Sequence, residues 1–130
     1  MDRDVVVEAL RHYFAPRDGV AAAWLFGSVA RDRHGPRSDV DVGVLFTEAP
    51  PSTLGSPVFV VEGDLEALLG ARVQVVAMNG APCDLVHRVL RDGVLVAEGD
   101  RSARIGFEVR ARNEYFDLEP IRRRYRSGAR

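Results

Sequence analysis

Apolar residues recur along this chain at two spacings, and the changes between them mark out its elements. Over residues 4–15, Val6, Leu10, Tyr13 and Phe14 share one face while Asp4, Glu8 and Arg11 lie elsewhere, the period of an amphipathic helix ended by Pro16 and Gly19. Val20 to Phe26 is an apolar run that reads as a strand. From Asp39 to Phe46 the pattern alternates every second residue, the period of a second strand. A Pro/Ser/Thr-rich loop at 47–53 leads to a short helix over about 57–69, closed by Gly70. A strand over 72–78, a helix over 82–92 bounded by Pro82 and Gly93, and a short strand over 94–97 follow. From Asp100 to about Arg126 the spacing is again helical, with Asp100 or Ser102 placed to cap and Pro120 placed to kink or divide it.

The 130 residues and 14.3 kDa fit one domain spanning 1–130, with a long C-terminal helical segment at about 100–126. No apolar run approaches the length of a membrane span, and Met1-Asp2-Arg3-Asp4 lacks the pattern of a signal peptide, so the expected setting is cytoplasmic. Cys83 is the only cysteine, which excludes an intrachain disulfide; it reads as a small, semi-buried residue at a helix start. All 18 basic residues are Arg, and they are unevenly placed. Residues 1–100 carry nine Arg against fifteen acids, and residues 101–130 carry nine Arg against four. The crowd of Arg122, Arg123, Arg124, Arg126 and Arg130 lacks a nucleic-acid-binding motif and reads as a solvated tail or a surface for an acidic partner. Phe107, Tyr115 and Phe116 exceed what one packing stripe needs, so part of this helix is expected to meet a partner. His12 and the trio Glu62, Asp64 and Glu66 fall at solvent-face positions, and Trp24 reads as core rather than as a base-stacking aromatic.

The chemistry concentrates between the first two strands. Asp39 and Asp41 are two apart, so on a strand they face the same side, about 6.6 Å apart along the backbone. Each carboxylate disfavours ionisation of the other, and a divalent cation removes that cost. Gly27-Ser28 ends the preceding strand and opens a short Ala/Arg segment of one or two helical turns. There, free N–H groups favour an anion, Gly admits a phosphate close to the backbone, and the Ser hydroxyl can bond a phosphate oxygen. Arg31, Arg33 and Arg37 lie between the halves, and Arg31 is nearest Ser28 and best placed for a triphosphate; Ser38 adjoins the first Asp. His34 carries no mark of a catalytic base, and His87 and Arg88 fall at a rim or on the surface.

The string Gly-Ser-x10-Asp-x-Asp, with its flanks Leu25-Phe26-Gly27-Ser28-Val29-Ala30-Arg31 and Ser38-Asp39-Val40-Asp41-Val42, resembles the signature of the minimal nucleotidyltransferase (MNT) domains of the DNA polymerase β superfamily. The resemblance covers nearly the whole chain. It implies an α/β fold, a small mixed β-sheet packed against helices. It further implies an antitoxin that moves AMP from Mg-ATP to a tyrosine hydroxyl of a partner HEPN-domain RNase toxin. Asp39 and Asp41 would hold Mg2+, and Gly27, Ser28, Arg31 and Ser38 would bind the nucleotide. Neither a membrane nor direct nucleic-acid binding is implied, and a small-molecule acceptor fits less well because no second substrate domain is present.

One position departs from the family. Its third metal carboxylate falls where this chain has Gln74, within Arg72-Val73-Gln74-Val75. A Gln offers a neutral carbonyl oxygen and can neither take a proton nor balance metal charge. Mg2+ can still be held by two carboxylates with phosphates and water, so binding survives this change more readily than fast catalysis does. The alternative reading is therefore an antitoxin with a weakened or inactive site that neutralises its toxin by binding.

Overall fold

The computed structural model describes residues 2–31 and 39–126. Arg33, His34, Arg37 and Ser38 lie outside the described residues, as does Arg130, and so do the side chains of Arg122, Arg123 and Arg126. The elements run α1 (Arg3–Phe14), β1 (Val20–Phe26), α2 (Gly27–Ala30), β2 (Val40–Phe46), α3 (Pro57–Leu69), β3 (Val73–Ala77), a 3-10 turn (Met78–Gly80), α4 (Cys83–Asp92), β4 (Val94–Glu98) and α5 (Arg101–Arg126).

Local chemistry sets several of these boundaries. Asp2 caps α1 by accepting from Asp4 N at 2.9 Å. Ser56, buried, caps α3 by accepting from Val58 N, with Pro57 in the first turn where its missing N–H costs nothing. Gly70 closes α3 at φ +62°. Asp100, rather than Ser102, caps α5 by accepting from Ala103 N at 3.0 Å. Helix α5 runs unbroken through Pro120, so the expected division there does not occur.

The sheet has the order β3-β2-β1-β4, with β1 antiparallel to both neighbours and β2 parallel to β3, the mixed arrangement expected. The parallel pair needs a crossover, which α3 supplies. On one face Leu25, Val40, Val42, Val44, Val73 and Val75 pack against Val6, Leu10 and Phe14 of α1 and Val61 and Leu65 of α3. On the other, Ala22, Trp24 and Leu45 pack against Met78, Val86 and Val89, with Ala103, Phe107 and Ala111 of α5 laid over them. Trp24 is core as expected, 3% exposed, its ring 6.2 Å from that of Phe107. His12, exposed, makes an i,i+4 contact with Glu8 at 3.2 Å.

The acidic trio of α3 is not merely solvated. Glu62 accepts from Val75 N at 2.9 Å and Glu66 from Val73 N at 3.1 Å. β3 is the edge strand beyond β2, and its outward N–H groups are satisfied by these two carboxylates. Asp64 accepts from Tyr13 Oη and from Arg17, both at 2.7 Å, tying α1 to α3. Burial first, and the bond to Asp64 second, raise the Tyr13 phenol to about 12. The Arg17 guanidinium lies 4.3 Å over the Tyr13 ring, completing the clamp.

Candidate functional site

Strand register places the motif residues together. Asp41 of β2 pairs with Phe26, the last residue of β1, on one side and with Gln74 of β3 on the other. Gly27 follows Phe26 and so comes to lie beside the Asp41 carboxylate. Its φ is +78°, a region that L side chains rarely adopt, and a Cβ there would fall on Asp41 Oδ2, with Cγ only 3.2 Å away. Any other residue would be strained there and would have to displace the carboxylate. The buried neighbours Val40 and Val42 point into the α1/α3 core, which turns Asp41 to the opposite face of the sheet. Directly opposite residues of a parallel pair share a face, so Gln74 stands beside Asp41 there.

Asp41 is half-buried, Asp39 exposed just ahead of the strand, and Gln74 exposed. Burial foremost, and then the nearby Asp39 charge, raise the Asp41 carboxyl above its usual range. This is the like-charge penalty expected from the spacing, with desolvation added as its larger part. The donor set, two hard carboxylate oxygens and an amide oxygen, fits Mg2+ in a site completed by substrate phosphates and water. Among the described residues no group of three or more His, Cys, Asp or Glu side chains could hold a metal.

Ser28 is half-buried in the first turn of α2, and Arg31 is exposed at its C-terminal cap. α2 is one turn, the short end of the one or two expected, so its macrodipole is slight. The groups there that can bind an anion are the turn's own N–H groups and the Ser28 hydroxyl.

The end of α4 adjoins this turn. Helix α4 gives way at Gly93 to β4, whose Val94 pairs with Leu25, and α4 and α2 are in contact. Asp92 is held below the usual carboxylate range chiefly by its bond to Arg91, with Arg31 and His87 adding smaller attractions. Asp92 therefore belongs to the rim of the site. Sequence reasoning missed it because a helix-ending acid carries no signal of its distant neighbour. His87, half-buried on the same helix, is stacked on Tyr115 of α5 with ring centroids 3.6 Å apart. A cleft of about 650 Å3 lies elsewhere, between Arg17, Phe46, Pro51 and Val60, at the opposite ends of β1 and β2.

Comparison with known proteins bears on this constellation. The family model described as polymerase beta, nucleotidyltransferase matches residues 8–102. No curated protein gives a significant match. Among solved structures, a toxin–antitoxin with AMP-PNP superposes with a TM-score of 0.76 at 20% identity, covering 98% of each chain. A tri-AMPylated Shewanella oneidensis HEPN toxin in complex with MNT antitoxin gives 0.68 at 19% identity, covering 97% of this chain and 93% of the other. A proposed minimal nucleotidyltransferase is 34% identical over 72% of this chain and 95% of its own, with a TM-score of 0.58. The first two are likenesses of fold, and the third extends to sequence.

Proposed function

This chain belongs to the polymerase β nucleotidyltransferase family, and from that premise we propose that it is a single-domain, cytoplasmic antitoxin that transfers AMP from Mg-ATP to a tyrosine hydroxyl of a HEPN-domain toxin. The observation that carries the reading is the contact between Gly27 and Asp41, a backbone opening kept free of any Cβ beside a desolvated carboxylate. The fold likeness to a toxin–antitoxin with AMP-PNP and to a complex holding a tri-AMPylated HEPN toxin supports the choice of nucleotide and acceptor.

In this reading Asp39 and Asp41, with the Gln74 carbonyl oxygen beside them, would hold Mg2+. When bound, Mg2+ supplies neutralisation of charge on the phosphoryl oxygens. The N–H groups of the Gly27-Ser28 turn and the Ser28 hydroxyl bind phosphate oxygens, and Arg31 and Ser38 contribute from the flanks. The tyrosine oxygen attacks the α-phosphorus, a new P–O bond forms, and the bond to the β-phosphate oxygen breaks with release of pyrophosphate. The phenolic proton passes to an Asp carboxylate or to water, because Gln74 cannot accept it. The chain's main contribution is to hold the reacting groups in line.

The intact mass of a candidate acceptor, the protein encoded beside this chain, after incubation with it, ATP and Mg2+, tests the proposal. The expected result is a gain of one or more AMP units, lost when Asp39→Ala and Asp41→Ala are combined. Gln74→Asp is expected to speed the transfer. Gln74 also motivates a second reading, neutralisation by binding alone. A stable complex with no mass gain, and toxin still neutralised by the Asp39→Ala/Asp41→Ala variant, would decide for that reading.

A further inference from the structure

The reading above leaves open how an acceptor protein is held, and α5 carries features that its packing on this chain does not use. Its first half is anchored. Ala103, Phe107 and Ala111 pack on the second core, and Arg104 bridges Glu98 of β4 and Glu108 of its own helix. Leu118 and Ile121 continue the same stripe, about three and four turns past Phe107. There they are 37% and 52% exposed, and neither belongs to a core cluster among the described residues. Opposite them, Ile105, Val109 and Phe116 form a second exposed stripe, Phe116 at 61%. A helix normally keeps one face for water, whereas this one is apolar on both, and its last three turns overhang the body.

Charge says what kind of surface completes it. Residues 120–130 hold five Arg and no acid, while residues 1–100 have six more acids than Arg (fifteen less nine). The root of the overhang also adjoins the proposed nucleotide site. Phe116 lines a cleft of about 260 Å3 with His87 and Arg91 of α4, and Arg91 is bonded to Asp92, which feels the Arg31 charge.

We infer that the overhanging half of α5, through Phe116, Leu118 and Ile121, is the docking arm for the acceptor protein, which meets it with an apolar groove edged by acidic side chains. The inference rests on the reading of this chain as a modifier of a protein partner. It names where that partner is gripped, from the rim of the nucleotide site outward.

The test compares the full-length wild-type chain with Leu118→Glu/Ile121→Glu, and separately with Phe116→Glu. The affinity for the HEPN-domain acceptor is measured without nucleotide, alongside ATP affinity, melting temperature and mass in solution. The expected result is acceptor binding weaker by at least ~30-fold in the double variant, with ATP affinity, melting temperature and mass in solution unchanged. Phe116→Glu is expected to weaken acceptor binding in the same direction. Unchanged acceptor affinity in both variants overturns the inference, as does a wild-type chain that binds no acceptor. A wild-type dimer that the double variant dissociates, with acceptor binding intact, overturns it in favour of a second copy as the occupant. Because docking is read without nucleotide, absence of AMP transfer overturns only the catalytic reading.

Discussion

At the scale of single residues, the site depends on an absence and a charge. Gly27 leaves room for the Asp41 carboxylate where any Cβ would collide with it. Asp41 is a charge in a place that disfavours charge, and the sign of its shift gives a prediction. In the folded chain Asp41 holds its proton more tightly than in the unfolded chain. Its stabilising contribution is therefore complete below the unfolded carboxylate value, about 3.9, and is lost as pH rises through the raised folded value. At neutral pH the metal-free protein carries the cost of ionised Asp41. Asp41→Asn is expected to raise the melting temperature of the metal-free protein at pH 7, with the gain fading towards pH 4. The rise that Mg2+ produces in the wild type should disappear in the same variant. Thermal melts from pH 4 to pH 8, with and without Mg2+, check both. A less stable Asp41→Asn at pH 7 without metal would show that burial and Asp39 do not destabilise the ionised form. This part of the site was legible in the sequence, because Gly-Ser and Asp-x-Asp are local patterns whose chemistry survives being read one residue at a time. Asp92 was not legible, since its closeness to Arg31 arises only when β4 pairs with β1 and carries the end of α4 to the turn.

At the scale of elements, the apolar patterns placed the four strands and the four long helices to within a residue or two, and they failed where one element serves another. Glu62 and Glu66 are spaced as a solvent face, and periodicity cannot distinguish water from the edge of a strand. Four helical residues rise about 6.0 Å and two strand residues about 6.6 Å, so a helix running antiparallel to an edge strand matches its outward N–H groups with an i,i+4 acid pair. That match fixes β3 against α3 and thereby holds Gln74 in register with Asp41. Glu62→Ala leaves Val75 N without its acceptor and is expected to cost ~1 kcal/mol, read from chemical denaturation. Amide exchange at Val75 should quicken with it. Glu62→Gln keeps an acceptor oxygen and should lose less than Glu62→Ala. Equal losses in the two variants would mean that the carboxylate's charge, rather than its hydrogen bond, is what the strand edge uses.

At the scale of the whole molecule, charge and apolar surface are distributed so that the two ends of the chain differ in kind. The acid-rich first hundred residues build the sheet, both cores and the proposed site, and α5, within the Arg-rich remainder, lies over the second core and then overhangs it. The charge imbalance and the surplus of aromatics were visible in the sequence. Where the overhang begins was not, because it depends on where α4 ends beneath α5. If the arm meets an acidic groove, attraction between exposed charges should carry much of the encounter, and such attraction is screened over about 10 Å at 0.1 M salt. Raising NaCl from ~50 to ~500 mM is then expected to weaken nucleotide-free acceptor binding by ~10-fold or more, chiefly through a slower association rate. The Leu118→Glu/Ile121→Glu variant should act instead on dissociation, because those side chains contribute only after the surfaces have closed. Surface-immobilised acceptor with the chain in solution separates the two rates. An affinity indifferent to salt would remove the acidic groove from the account and leave the apolar stripe as the sole contact.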